Sequence, residues 1–283
     1  MDLQFVQGKT YFTTINDIKK QYNYLTKDIE TDVVIVGGGV TWSILGYYFS
    51  KNNIKSVILE KNIVGYGSTS TTTALLQYEL DSTLNELKEY TTSQNIIQAY
   101  KLGIKALDEI RGFINKYGNN CCYKERDALL YTDKKLNVKE LEEEYLIRKE
   151  NGFDVEFITE ENNPFKIPLK GGILSKNAGA EIDPYRFTHE LLSIATNDGL
   201  KVYENTEVVD VKYNEDGVDV ITKYDRRVKG KIVIVATGYH TNLFTDRNFG
   251  TTTKTFNIVT KPIDNLDSIY DGTLIRDNNI PYN

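Results

Sequence analysis

Asp32-Val33-Val34-Ile35-Val36-Gly37-Gly38-Gly39-Val40-Thr41-Trp42 is the stretch that decides the fold. Val33 to Val36 are apolar and β-branched without polar alternation, which reads as a strand buried on both faces, the habit of parallel sheets. Three glycines then allow a tight turn into residues 40–52. That segment has the length of a crossover helix and carries Ile44, Leu45, Tyr48 and Phe49 as its core-facing stripe. A second apolar run at residues 56–60 reads as the next parallel strand and closes on Glu60.

A glycine turn between strand and helix, with an acid about 20 residues further on at the next strand end, is the pattern of a dinucleotide-binding βαβ unit. Gly37 permits the turn, Gly39 lets a pyrophosphate approach the backbone, and the helix N-terminus offers free N–H groups and positive partial charge. Glu60 is placed to accept hydrogen bonds from the adenosine ribose. The third glycine of the pattern is replaced by Trp42, where helix and strand need close contact. Overpacking there costs roughly 1–3 kcal/mol, which weakens ligand binding about 5- to 150-fold if it falls wholly on the bound state. Gly46, one turn later, offers room for the helix to shift. On this reading Trp42→Gly restores the contact and raises occupancy.

The chain has 283 residues, 40 acidic and 34 basic, with a net charge of −6. That balance is too acidic for a protein built around nucleic-acid phosphates. At 40% hydrophobic and 26% charged residues it is a folded chain with room for one large domain or two interleaved ones. No apolar run nears the roughly 18 residues of a membrane helix, and the opening MDLQFVQGKTYFTT lacks a signal-peptide pattern, so a cytoplasmic protein without an integral membrane segment is expected. Cys121 and Cys122 are adjacent and read as structural thiols; no spacing suggests a metal site. His189 lies off the stripe of Phe187, Leu191 and Ile194, and with His240 it reads as a surface or near-site histidine.

Downstream, residues 81–91 and 93–117 read as helices, and 134–150 as a charged helix with a solvated face. Residues 184–198 read as a helix capped by Asp183 and ended at Gly199. Strands follow at 201–203, 207–213, 218–222 and 231–236, with a turn at Glu215-Asp216-Gly217 and one more strand at 253–260.

The runs DVVIVGGGV, VILEKNIVGYGSTSTTTALLQYELD, AEIDPYRFTHELL, GLKVYENTEVVDV and IVIVATGYH together resemble FAD-dependent oxidoreductases of the D-amino-acid oxidase and glycine oxidase type. The likeness covers most of the chain from about residue 25 onward. It implies an α/β fold: a Rossmann-like FAD-binding domain from residues 1–80 and 181–245, interleaved with a smaller α+β substrate domain from 81–180 and 246–283. It implies FAD contacts at Gly37, Gly38, Gly39 and Glu60, at Ser68 and Thr69 beside the phosphates, at the Val208 backbone beside adenine, and at Ala236, Thr237 and Gly238 near the adenosine end. The implied reaction is oxidation of the C–N bond of a small amino acid or amine by hydride transfer to flavin. The family pattern continues beyond the point matching residues 280–283 with a segment that returns to the flavin ring and often binds the substrate carboxylate. No catalytic side chain is therefore assigned, and Arg276, Tyr78 and Tyr239 are candidates for lining a substrate cavity. The alternatives are a non-catalytic, shortened remnant that binds FAD weakly or not at all, and an NAD-dependent dehydrogenase, which leaves the ATG strand end and the Gly-Ser-Thr-Ser segment unexplained.

Overall fold

A computed structural model describes residues 9–17, 20–241, 243–247, 261 and 272–279. In chain order the first elements are α1 (Tyr11–Ile15), β1 (Ile29–Glu30), β2 (Val33–Val36), α2 (Val40–Lys51), β3 (Ser56–Leu59), β4 (Leu75–Gln77), α3 (Leu84–Leu87) and α4 (Ser93–Tyr117). Then come β5 (Lys124–Thr132), α5 (Val138–Glu150), β6 (Val155–Thr159), β7 (Gly171–Glu181), α6 (Pro184–Asn197) and β8 (Lys201–Tyr203). The last are β9 (Val208–Asn214), β10 (Gly217–Thr222), β11 (Arg227–Gly230), β12 (Ile232–Val235) and β13 (Leu274–Asp277). The chain divides into two units, residues 1–73 with 183–259 and residues 74–182 with 260–283. Among the described residues no helix is long and apolar enough to cross a membrane.

The first unit is built on a parallel sheet in the order β12-β2-β3-β8. Every residue of β2 and β3 is buried, as the unbroken β-branched run requires. Alternate side chains go to opposite faces. Val33, Ile35 and Ile58 pack with Trp42 of α2 and with Leu192 and Ala195 of α6. Val34, Val36, Val57 and Leu59 pack with Val218, Val220 and Val228 of a second sheet, ordered β1-β11-β10-β9. Full burial of each such side chain contributes about 1.5–3 kcal/mol.

Helix α2 bears out part of the expected stripe, since Leu45 and Phe49 pack against the core, and corrects the rest. Trp42, Ser43, Gly46 and Ser50 are its buried residues, whereas Tyr48 is exposed. Ser43 and Ser50 can turn inward because their hydroxyls bond the carbonyls of Val40 and Tyr47. Helix α6 follows the sequence reading: Asp183 caps it by accepting the Arg186 N–H at 2.9 Å, Pro184 opens it, and Gly199 follows its end at φ +100°. His189 departs from expectation, lying buried on α6 with its ring 4.5 Å from that of Tyr185.

The second unit holds a sheet ordered β13-β5-β7-β4, with β6 also paired to β7. Helix α4 buries Ile96, Tyr100, Leu107 and Phe113. The helix expected at 81–91 is the short α3, started by a capping box between Thr83 and Glu86. Helix α5 is not solvated all round, since Glu144 and Arg148 are fully buried. Arg148 Nη1 donates to Glu79 Oε1 at 2.5 Å and Nε to Glu144 Oε1 at 2.8 Å. Cys121 is buried and Cys122 exposed. The strand expected at 253–260 lies outside the described residues.

Candidate functional site

The site candidates gather at the carboxyl ends of β2, β3 and β12, where parallel α/β sheets bind ligands. Gly37 sits at φ +130°, and a Cβ there would lie 2.4 Å from the Ala236 carbonyl oxygen, so conformation and space both demand glycine. The Ala236 N–H in turn donates to Val36 O at 2.9 Å. These contacts set the Ala236-Thr237-Gly238 turn against the first glycine.

Glu60 folds over the second glycine. Its Oε2 lies 1.7 Å from the point a Cβ on Gly38 would occupy, while Oε1 accepts the Asn62 N–H at 2.7 Å. Burial raises the Glu60 carboxyl to about 7 against the opposing pull of the Asn62 N–H and Lys61, and Glu204 adds to the rise.

Thr69 reaches the third glycine from a distant segment. It lies in a 3-10 turn, Ser68–Ser70, and its hydroxyl accepts the Val40 N–H at 2.9 Å, so it caps α2 across the turn. Having accepted there, the hydroxyl keeps its own proton to donate to an anion. Ser68 is exposed beside it. Val208 opens β9 in register with Thr222, and Thr206, two residues earlier, donates its N–H to Glu60 O at 2.8 Å.

Trp42 does not crowd the turn in the way its position suggests. It is fully buried among the residues shared by α2, α6 and the sheet. The close approach of helix to strand falls instead at Gly46, where a Cβ would meet Leu200 at 2.8 Å and Ile58 at 3.1 Å. Trp42 Nε1 is buried without a hydrogen-bond partner among the described residues, 3.9 Å from the Cβ position of Gly39.

Of the three substrate-cavity candidates, Tyr78 and Arg276 belong to the second unit, and Tyr239 follows Gly238 in the first. Tyr78 is buried in the second unit, stacked on Phe153 at 5.5 Å. Arg276 Nη1 is held by the carbonyls of Leu80 and Asp81 at 3.1 and 2.9 Å. Tyr239 is exposed.

A glycine cradle, a helix N-terminus with a donor hydroxyl beside it and an acid over the middle glycine fit a dinucleotide. Residues 32–281 match the model of the family described as FAD dependent oxidoreductase. The chain belongs to that family. Among curated relatives of this flavoprotein is a Bacillus subtilis (strain 168) protein described as a Rieske 2Fe-2S iron-sulfur protein, 26% identical over 250 residues, which cover 85% of this chain and 48% of that one. Glycerol 3-phosphate dehydrogenase of Caloramator mitchellensis is 26% identical over 201 residues, 69% of this chain and 39% of the other. The chain thus spans about half or less of the length of these relatives. Among solved structures, glycine oxidase from Geobacillus kaustophilus superposes with a TM-score of 0.61 at 20% identity, covering 76% of this chain and 57% of that one. The fold is therefore the Rossmann-like FAD-binding fold.

One residue of the site escapes the motif. Glu204, just after β8, is buried, and its two carboxylate oxygens accept the N–H groups of Val64 and Tyr22, each at 2.8 Å. A lone acid at a strand end has no spacing signature, so only the fold reveals it.

Proposed function

We propose that this chain carries the FAD site, and part of the substrate-binding portion, of an oxidoreductase that oxidises the C–N bond of a small amino acid or amine. The observation that carries the FAD site is the Gly37–Gly39 cradle with Glu60 folded over Gly38 and the Thr69 hydroxyl at the start of α2. Bound FAD supplies the acceptor for the hydride that leaves the carbon bearing nitrogen. The chain's own part is to hold that cofactor. Amides of the glycine turn and the first turn of α2 take the diphosphate, with the Thr69 hydroxyl as a further donor. Glu60 accepts from the ribose hydroxyls, the Val208 backbone meets adenine, and Ala236, Thr237 and Gly238 flank the adenosine end. On this reading residues 1–80 and 181–245 form the FAD-binding domain, and 81–180 with 246–283 contribute to the substrate domain.

Support for a C–N substrate comes from the segments AEIDPYRFTHELL and IVIVATGYH, which resemble amino-acid oxidases. A second reading, oxidation of a C–O bond in glycerol 3-phosphate, is favoured by the 26% identity to the Caloramator enzyme. One experiment separates them. FAD titrated into the purified chain is expected to quench the emission of Trp42, the single tryptophan. The loaded protein, or a longer form that includes the flavin-ring segment, is then mixed without oxygen with glycine, other small amino acids or glycerol 3-phosphate. Bleaching of the flavin by an amino acid supports the first reading, and bleaching by glycerol 3-phosphate alone replaces it with the second. A wild-type chain that takes up no FAD overturns both in favour of a non-catalytic remnant.

A further inference from the structure

The loop after β3 and the turn after β8 are laced together more tightly than strand pairing requires. Glu60 N–H donates to Tyr203 O at 2.9 Å, Asn205 N–H to Asn62 O at 3.0 Å and Thr206 N–H to Glu60 O at 2.8 Å. Glu204 ties two further segments into this lattice. One oxygen takes the N–H of Val64, whose neighbour Gly65 donates to Gly38 O at 2.7 Å. The other takes the N–H of Tyr22, on the arm that precedes β1. Thr206 seconds the attachment: its hydroxyl donates to Glu204 O at 2.8 Å and accepts the Leu25 N–H at 3.1 Å. Leu25 itself is buried with Val36 and Leu59, the last residues of β2 and β3. A buried carboxylate that accepts backbone N–H groups from two separate segments fixes both, because losing either bond leaves a buried polar group unmatched.

We propose that Glu204 is a positioning residue of the FAD site, which acts by clamping the Tyr22 arm and the Val64 loop so that Glu60 stays over Gly38 to receive the ribose. This rests on the FAD reading above. The clamp has an electrostatic side as well as a mechanical one. Among the described residues, two charged groups face Glu60, Lys61 from its own loop and Glu204 from the turn after β8. Burial and the Glu204 charge hold a proton on Glu60, and Lys61 opposes them. A carboxylate accepts ribose hydroxyls better than a neutral acid does. FAD affinity therefore climbs as pH rises through the Glu60 titration and levels off above it.

The test is FAD affinity of the full chain as a function of pH, read from Trp42 emission, for the wild type, Glu204→Gln and Glu60→Gln. Glu204→Gln keeps the side chain's shape, loses one of the two acceptors and removes the like charge. It is expected to weaken FAD binding about tenfold at the alkaline plateau, the scale of one hydrogen bond to a charged group, and to move the pH midpoint downward. Glu60→Gln is expected to flatten the profile. A role confined to general stability would leave the midpoint where it is. Unchanged affinity and midpoint in Glu204→Gln, with normal wild-type binding, overturn the clamp and leave the FAD reading standing. Absent binding in the wild type overturns both. Should Glu204→Gln fail to fold, amide exchange in the wild type decides. Reciprocity requires FAD to slow exchange at Tyr22 and Val64 if their clamp favours binding, and unaltered exchange there refutes the proposal.

Discussion

Trp42 shows how a motif position can be occupied by a residue with another job. The third glycine of a dinucleotide turn exists to let a helix approach a strand. Here that approach occurs at Gly46, against Ile58 and Leu200, and the indole fills the space between α2 and α6. Trp42→Gly therefore opens a cavity in the core instead of restoring a contact, reversing the effect expected from the motif alone. It is expected to cost about 3–5 kcal/mol, seen as a lower urea midpoint by circular dichroism. Trp42→Phe keeps most of the apolar volume and removes an indole N–H that has no partner among the described residues, so its cost is expected to stay below about 1.5 kcal/mol. Equal losses in the two variants would mean that the indole nitrogen, not the ring volume, is what this position needs. Glu60 and the glycines were legible because their spacing follows from the turn itself, whereas Glu204 was not, because its partners Tyr22 and Val64 are 182 and 140 residues away in the chain.

The same limit acts on whole elements. Strands β2 and β3 can be read from the chain since a strand covered on both faces needs an unbroken apolar run. Strands β5 and β7 hide: β5 opens with Lys124-Glu125-Arg126-Asp127 and β7 with Gly171-Gly172. Those charges are tolerated because Arg126 meets Glu181 through two bonds of 2.9 and 3.0 Å and Asp127 meets Lys176 at 3.2 Å. Such pairings exist only once the sheet has formed. Helix α5 is the sharpest instance. Its acidic run looks solvated, yet Glu144 and Arg148 are buried because Glu79 from outside the helix completes the network, with the Ser175 hydroxyl donating to Glu79 Oε1 at 2.6 Å and the Leu84 N–H to Glu144 Oε2 at 2.9 Å. Removing the cation takes from Glu144 its ion-pair partner and leaves Glu79 the longer 3.8 Å pairing with Arg276 Nη2. Arg148→Met is expected to cost about 3–5 kcal/mol, and adding Glu79→Gln and Glu144→Gln to recover a large part of it, because the amides need no counter-charge. Denaturant titration of the single and triple variants checks this. A triple variant weaker than Arg148→Met would show that the carboxylates are held mainly by their other donors.

At the scale of the whole molecule, the proposed cofactor contacts are all in the unit made of residues 1–73 and 183–259, and each unit has its own buried cluster. A ligand stabilises only the folded structure that binds it, by about 2.7 kcal/mol at a hundredfold excess over its dissociation constant. For a unit of this size that corresponds to a rise of roughly 5–10 °C in its melting temperature. Trp42 lies in the first unit and is the single tryptophan, so its emission reports that unit's melting. The aromatic group of Tyr78, Tyr100 and Phe153 belongs to the second. Adding FAD is expected to raise the temperature at which Trp42 emission changes by that amount. Where calorimetry resolves two transitions, the one that coincides with the tryptophan signal should move and the other should stay. If both move together by the same amount, the units melt as one cooperative body and the stabilisation is shared between them. If neither moves while FAD still quenches Trp42, binding is too weak for the cradle, Glu60 and Thr69 to be acting together.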